Sequence, residues 1–388
     1  MGDGHPGRFA LHDPTGISEV VLSVSEPALF ILSLLDGRHS LSDVRIKYRV
    51  RYGQEVLPET VAGMVKGLES AHLLEGESFD AFVRRMQADF QAAPVRPCVY
   101  GRHLGDRDQA AEFMGELLPP GNGETNGDGR VVGLIAPHLD FPRGAPCYAK
   151  SYGRLHGRER PHRCVILGTN HFGQSSSLVA TTKTFETPLG ETEVDVPFLE
   201  AVERRCGHDL RTGEMDHGRE HSVEIQVMCL QHLFGAREIR IVPFLCPDPC
   251  GPDGTRPHGG RGVDLRDFAD ALRAVIMEDG GDTLVVAGAD LSHVGRQFGD
   301  AFALDAPFLR FLEERDRRSL AFLEASEPEA FVQSLAQDGN VTRVCSAGCI
   351  YVAAVVLRDA KPTLRGYHQA FTEEQQICVS CTAMTYAK

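Results

Sequence analysis

The chain has 388 residues, of which 42% are hydrophobic and 24% are charged, a balance typical of soluble globular proteins. This length exceeds one ordinary domain, so we expect two or more. The formal net charge of −14 argues against binding to bulk nucleic acid or anionic lipid. No apolar run approaches the roughly 18 residues of a membrane helix. Eleven cysteines without a secretory signal pattern indicate free thiols in a reducing compartment, so we expect a cytoplasmic protein.

The first part of the chain, residues 1–95, is predicted to form a small separate domain. A strand pattern in GISEVVLSVS is followed by helical patterns in PALFILSLL, LSDVRIKYRVRYG and LPETVAGMVKGLESAHLLEG, and Gly53 ends the second helix. Three helices with flanking strands indicate a winged-helix-like domain. The phrases LLDGRHSLSDV and LESAHLLEG resemble the PqqD-like peptide-binding domains, and this resemblance implies a peptide ligand.

Basic residues recur on the second predicted helix, at Arg45, Lys47, Arg49 and Arg51. In a winged helix such a stripe can contact nucleic-acid phosphates. A solvated face is the favoured interpretation because the whole chain is acidic. We therefore expect no nucleic-acid partner.

The rest of the chain is predicted to contain a linker and one large domain. Residues 96–130 are assigned to a linker helix and an exposed loop, PPGNGETNGDGR. In residues 131–388, strand patterns such as VVGLIAP, CVILGTN, IRIVPFL and TLVVAGAD alternate with helical ones such as SVEIQVMCLQHLF. CIYVAAVVL is a further strand candidate that also fits a buried helix, and the segment from GYHQAF to TAMTYA is interpreted as a strand. The alternation predicts a three-layer α/β/α domain with a largely parallel sheet.

Polar residues follow three predicted strands at their carboxyl ends. His138 follows VVGLIAP, His171 follows CVILGTN, and Asp290 and His293 follow TLVVAGA. Open α/β sheets bind ligands at this edge, so we expect the four side chains to converge on one site. Imidazole suits Fe, Cu, Zn and Ni alike, so the histidines alone do not select a metal. The Asp-x-x-His pair fits acid/base work or a metal site, and equally a helix cap.

Two thiols close to a predicted tight turn, Cys345 and Cys349 in VCSAGCI, are further candidates. A thiolate at Cys345 is a soft ligand beside two imidazoles. Cys349 competes for this role, and the alternative is that both side chains simply pack in the interior.

A competing motif, HGREH at residues 217–221, matches the pattern of inverted zinc peptidases. It predicts His217 and His221 as zinc ligands and Glu220 as the residue that activates water. That chemistry requires one helical turn, and Gly218 favours a loop that enters a helix near His221. A zinc peptidase is therefore a minor alternative.

Two cysteine pairs are interpreted as unrelated thiols. Cys378 and Cys381 form a C-x-x-C pattern, but in a strand these positions face opposite sides. Cys246 and Cys250 lie in a Pro-rich loop, where a disulfide or metal clip is the less favoured interpretation.

Several segments occur in the order found in Memo-like proteins, namely GLIAPH, VILGTNH, ETPLGETEVD, EHSVEIQVMCLQHLF, ADLSHVG and CSAGCI. Over about residues 100–388 the chain resembles this family, the protein B members of the AMMECR1–Memo–radical-SAM group. The family is similar in structure to class III extradiol dioxygenases, whose non-haem iron lies at strand ends. The resemblance implies a dioxygenase-like α/β fold, with AMMECR1-like and radical-SAM proteins of the same system as partners.

The resemblance also implies roles for individual residues. His138, His171 and Cys345 correspond to the metal ligands. Asp290 and His293 line the site, and His293 is similar to the acid/base histidine of the dioxygenases.

The EHSVEIQ segment is part of the family motif, so His221 is expected to point toward the site as a further catalytic candidate, together with Glu220 and Glu224. The chain departs from the family's usual sequence motifs at PHLDF, where PHAGY is common, and at CSAGCI, where a CGRxPI-like segment is common. These departures concern substrate contacts more than the metal.

Two functions follow as hypotheses. The dioxygenases use a carboxylate as third ligand, and a cysteine in its place favours Cu or a redox-tuned Fe(II), with Zn less favoured. The first hypothesis is a metal-dependent redox or dioxygenase-like protein. The second is a non-enzymatic, metal-holding or peptide-binding accessory protein in a radical-SAM-linked modification pathway.

Overall fold

The structure is a computed structural model, and it describes residues 7–13, 16–119, 129–171, 177–248, 255–256 and 262–388. The chain divides into two compact units, residues 1–92 and 93–388. No helix in these described ranges combines the length and the apolar composition that a bilayer crossing requires.

The small unit combines an antiparallel strand pair with helices. Its elements are β1 (Arg8–Leu11), β2 (Leu22–Ser25), α1 (Glu26–Leu32), α2 (Leu41–Tyr52), α3 (Pro58–Ser70) and α4 (Glu77–Ala92). The Ser40 side chain caps α2 by accepting a hydrogen bond from the backbone N–H of Asp43, which satisfies a donor that the helix itself leaves unpaired. Gly53 ends α2 at φ 68°, a conformation that glycine adopts without strain. The sequence predicted the first three helices but not α4.

The large unit alternates strands and helices. Its strands are β3 (Val95–Arg96), β4 (Val131–Ala136), β5 (Arg163–Thr169), β6 (Val179–Ala180), β7 (Thr184–Thr187), β8 (Gly190–Thr192), β9 (Ile241–Cys246), β10 (Thr283–Gly288), β11 (Asp290–Gly295), β12 (Lys361–Thr372) and β13 (Ile377–Ala387). Its helices are α5 (Arg107–Leu117), α6 (Phe141–Tyr152), α7 (Val196–Cys206), α8 (His221–Phe234), α9 (Leu265–Asp279), α10 (Ala306–Glu324), α11 (Pro328–Ala336) and α12 (Ala347–Val356).

The central sheet has the order β11–β13–β4–β10–β5–β9–β6, and β12 pairs with β13. Strands β4, β10, β5 and β9 are parallel neighbours. Side chains from α7, α9 and α12 pack in one core cluster, and side chains from α5, α6 and α8 pack in another. Because helices cover both faces, these strands are apolar and buried. The predicted α/β fold, with helices about a central sheet, is confirmed.

The structure decides one open alternative and differs from the sequence prediction in two local features. CIYVAAVVL forms helix α12, one of the two forms that its sequence allowed, and the segment from GYHQAF to TAMTYA forms the hairpin β12–β13 rather than one strand. Helix α5, assigned to a linker by the sequence, lies in the large unit. Its Ala110 and Met114 are four residues apart and so share one face of the helix. Both are fully buried, so this face packs against the core.

Helix α8 lies close to the sheet because the residue before the last in β5 is a glycine, Gly168. A Cβ on Gly168 would lie 2.5 Å from Ser222 Oγ and 2.7 Å from Val223 Cγ2. We expect Gly168→Ala to lower the free energy of unfolding by about 1–3 kcal/mol, the usual cost of overpacking. Urea unfolding measures this loss. Gly153→Ala is the control, since Gly153 is helical and has no atom within 4 Å of the added Cβ; equal losses in both variants would contradict the prediction.

Candidate metal centre

His138 lies two residues beyond β4 and is 2% exposed. Its Nδ1–H donates to the carbonyl of Gly288 at 2.9 Å, and its backbone N–H donates to Asp290 Oδ1 at 3.2 Å. The first bond selects the ring tautomer, and Nε2 lies 3.6 Å from Cys345 Sγ. Burial lowers the pKa of His138, but the charges of Asp290 and Cys345 outweigh it and raise the pKa to about 9.

His171 lies just beyond β5 and is held by Glu220, the residue before α8. The backbone N–H of His171 donates to Glu220 Oε2 at 2.7 Å, and Nδ1–H donates to the same carboxylate at 3.1 Å. Burial raises the pKa of Glu220, but the hydrogen bond and charge of His171 outweigh it and hold the pKa far below its usual range. The ionised Glu220 therefore orients the ring so that Nε2 is the nitrogen able to bind a metal.

Cys345 lies two residues before α12 begins. Its Sγ is 3.6 Å from His138 Nε2 and 3.3 Å from Ser346 Oγ. Burial raises the pKa of the Cys345 thiol, but the charges of His293 and His138, and hydrogen bonds from His138 and His171, lower the pKa well below its usual value. The start of a helix also favours a thiolate, so the sulfur is suited to metal ligation.

The three predicted ligands meet at the carboxyl edge of the sheet. His138, His171 and Cys345 each present one ligand atom, and these atoms lie within 4.8 Å of one another. The two imidazole centroids are 4.8 Å apart, with ring planes at 85°. The structure thus brings together residues that are up to 207 positions apart; their role as metal ligands stays a prediction.

Asp290 and His293 lie on a strand, β11, and not in a turn or at a helix cap. Asp290 is 1% exposed, and its Oδ2 lies 3.4 Å from His138 Nε2. The pairing of β11 with β13 shifts register between Asp290 and His293. The His293 Nδ1–H donates to the carbonyl of Leu291 at 3.0 Å, and its ring packs edge-on against Phe298. Asp290 therefore contacts the three-residue cluster directly.

His221 lies beside the cluster, as predicted, at the first position of α8. Its ring centroid is 5.2 Å from that of His171 and 5.7 Å from that of His138. With His171 and Glu220 it forms a second group whose ligand atoms converge. Burial lowers the pKa of His221 to about 4, against the opposing charge of Glu220. The imidazole is therefore neutral at neutral pH.

The HGREH segment does not form the peptidase geometry. Residues Glu214–Gly218 form a 3-10 turn, and α8 begins only at His221 with Glu220 as its cap. His217 is 1% exposed, and its Nε2–H donates to the carbonyl of Val179 at 3.1 Å. Since His217 and His221 do not share a helical turn, the zinc-peptidase alternative is not supported by the geometry that it requires.

Buried His217 predicts a pH effect on stability. Burial lowers its pKa from 6.5 to about 3, so below about pH 6.5 the unfolded chain binds a proton that the folded chain excludes. Stability should fall with acidification toward pH 3, by about 1.4 kcal/mol per pH unit for this group. His217→Gln keeps an N–H for Val179 but cannot titrate, so its free energy of unfolding should fall less steeply between pH 6 and pH 4.5. Urea titrations across this range test the difference; equal slopes would count against it.

Apart from the half-buried Cys206, the other thiols that the structure describes are buried in the interior. Cys378 and Cys381 belong to different hydrophobic clusters, as expected for positions i and i+3 of a strand, which face opposite sides. Cys246 and Cys349 belong to the same core cluster, while Cys250 lies outside the described residues. The cysteines that the structure describes are free thiols.

Several supporting residues carry no local sequence signal. Ser346 Oγ accepts from the backbone N–H of Asp290 at 3.0 Å and lies 2.9 Å from Thr169 Oγ1. The Gln226 side chain on α8 donates to the carbonyl of Pro137 at 2.8 Å. These contacts hold the ends of β4, β5 and β10 together. The sequence predicted the strand ends but not these supporting contacts, because each contact joins residues from distant segments of the chain.

The fold and the site define a class of protein: a three-layer α/β protein with a candidate mononuclear His₂Cys centre at the carboxyl edge of its sheet. A profile of the family described as Memo-like protein matches residues 104–385, so the chain belongs to the Memo-like family. A MEMO1 family protein of Aquifex aeolicus is 25% identical over 353 residues, 91% of this chain and 88% of that protein. Its counterpart in Thermus thermophilus is 29% identical over 334 residues, 84% and 92% of the two chains.

Proposed function

We propose that this Memo-like protein binds one redox-active metal ion, Fe(II) or Cu, through His138, His171 and Cys345. The observation that carries the proposal is the convergence of their ligand atoms within 4.8 Å. Two imidazoles and a thiolate form a donor set with soft character that suits Cu and Fe. Zn is less favoured because the likeness to iron-dependent dioxygenases points to a redox metal.

The hydrogen bonds around both histidines fit metal ligation. Metal-bound histidines usually donate their second ring N–H to a carbonyl or carboxylate. His138 donates Nδ1–H to the Gly288 carbonyl, and His171 donates Nδ1–H to the Glu220 carboxylate. In each ring Nε2 therefore remains as the nitrogen that can bind the ion.

A metal held by three protein ligands supplies a redox centre with open positions for O₂ or substrate. The surrounding side chains of this chain would position the ligands and transfer protons. Asp290 fixes the backbone of His138 by accepting its N–H at Oδ1, and its Oδ2 lies 3.4 Å from His138 Nε2. His221 and His293 are the two candidates for proton transfer to or from a bound substrate.

An accessory role is the second candidate function, and the separate compact unit of residues 1–92 favours it. In this proposal the PqqD-like unit holds a peptide while the large unit holds the metal. AMMECR1-like and radical-SAM proteins of one modification system are the proposed partners. The free thiols support a reducing, cytoplasmic setting for either function.

Metal analysis of protein purified with and without oxygen tests the proposal, together with oxygen uptake on candidate catechols. The redox function predicts about one Fe or Cu per chain and substrate-dependent uptake. Zn closed by four protein ligands, or no metal, would contradict it. The accessory function predicts metal without uptake, and peptide binding that disappears when residues 1–92 are deleted.

A further inference from the structure

Residues 93–101, shortly before the profile match, pack against the residues around the start of α8; we call this segment the strap. The Memo-like match begins at residue 104, so the strap lies outside it. Within the strap, β3 pairs with β7 in parallel, with Arg96 opposite Phe185. The Lys183 Nζ donates to the carbonyl of Ala93 at 2.5 Å. The strap is therefore fixed to the large unit at both a backbone ladder and a side chain.

Arg96 is the central side chain of the strap and is 0% exposed. Its Nε–H donates to the carbonyl of His217 at 3.0 Å, and Nη2 donates to the carbonyl of Glu220 at 2.5 Å. Its Nη1 forms an ion pair with Glu224, and its guanidinium lies 5.1 Å over the Phe185 ring. A planar guanidinium can serve these three acceptors at once, whereas a lysine ammonium on a flexible stem cannot reach the same geometry.

Glu220 links this contact to the metal centre. Its backbone carbonyl is held by Arg96, and its carboxylate holds His171 at both the backbone N–H and Nδ1. The same carboxylate accepts from the backbone N–H of Ser222 at 2.9 Å, at the start of α8. A shift of the backbone at residue 220 would therefore displace the His171 ring.

We propose that Arg96 is a positioning residue of the metal centre, which sets the orientation of His171 by fixing the backbone of Glu220. The inference rests on the proposed function in one respect, since it takes His171 as a metal ligand. It extends the functional site to a segment that precedes the profile match, although the alignment with the Aquifex aeolicus protein spans it.

The chain offers a matched control in Arg163. This arginine is 3% exposed, pairs with Asp195 at 2.8 Å and with Asp279, and lies 4.2 Å over the Phe198 ring. It is the first residue of β5, at the end of that strand opposite His171. Arg96→Lys and Arg163→Lys therefore remove the same guanidinium from equally buried places, near the site and far from it.

The first measurement uses metal-free, full-length protein and the ring ¹⁵N signals of His171, assigned by their loss in His171→Gln. In the wild type we expect the Nδ1–H tautomer or the doubly protonated ring, hydrogen-bonded to Glu220. Arg96→Lys should shift these signals, and Arg163→Lys should leave them unchanged. Unchanged His171 signals in Arg96→Lys, or equal shifts in both variants, would overturn the proposal.

The second measurement is the affinity for Co(II), which reports thiolate and imidazole ligation by its absorption spectrum. Arg96→Lys should weaken binding by about 10–100-fold, as loss of an outer support of a metal ligand does, while Arg163→Lys keeps the wild-type affinity. Wild-type affinity in Arg96→Lys overturns the inference. If the wild type itself binds no Co(II), the proposed function fails at that point, and the ring signals of His171 still decide whether Arg96 positions it.

Discussion

Cys345→Ser is expected to abolish most metal binding while the protein remains folded. A serine hydroxyl is a far weaker ligand for Cu or Fe than a thiolate, because the soft sulfur is the donor that distinguishes this site. The loss in affinity should exceed the ~10–100-fold typical of an outer-shell partner. Chelator competition on the full-length protein measures the affinity, and circular dichroism checks the fold.

Cys206→Ser is the matched control for this prediction. Cys206 is a half-buried thiol at the end of α7, and its Sγ–H donates to the carbonyl of Glu203. Its replacement should leave metal content unchanged. If Cys345→Ser keeps wild-type affinity, the sulfur is not a ligand, and the His₂Cys assignment must give way to a site built on the histidines and Asp290.

The part of the site that lies at strand ends could be predicted because parallel strands carry a local signal. An apolar run that stops at a polar residue marks the carboxyl end of a buried strand, and His138, His171 and Asp290 all follow such runs. Since these ends share one edge of the sheet, their convergence follows from topology. The family resemblance added the choice of Cys345 over Cys349.

The parts that the sequence left open or missed lack a local signal. Helix α12 is buried at every position, so its sequence shows no polar face, and the apolar run fits a strand equally well. Glu220 fell within a five-residue pattern whose spacing suggested zinc, although its partner His171 lies 49 residues away. Arg96 contacts residues 121 to 128 positions later, a separation at which no periodicity connects donor and acceptor.

The buried charges around the candidate centre are stable only if every one of them keeps its partner. Arg96, Glu220 and Glu224 are each at most 1% exposed, and a buried charge is tolerated only when it is paired and hydrogen-bonded. Each of them has such partners within one contiguous network around the start of α8. Removing one member leaves another unpaired, so the orientation of His171 depends on the whole network.

Glu220→Gln is the second substitution for which we expect a large effect. A neutral amide provides one acceptor oxygen, whereas the carboxylate receives both N–H groups of His171 and that of Ser222. We expect metal affinity to fall by about 10–100-fold. Loss of the helix cap should also lower the free energy of unfolding by about 0.5–2 kcal/mol.

Glu203→Gln is the control, because it removes a buried carboxylate away from the candidate centre and so separates a general loss of stability from the specific effect of losing Glu220. Glu203 is 9% exposed on α7, and it accepts from the Leu210 backbone N–H and from Arg211. Its replacement should lower stability but leave metal affinity unchanged, because these two partners of Glu203 do not belong to the candidate centre. If both variants bind metal as tightly as the wild type, then His171 is oriented without the charge of Glu220. In that case its affinity for metal must come from the ring and the neighbouring sulfur alone.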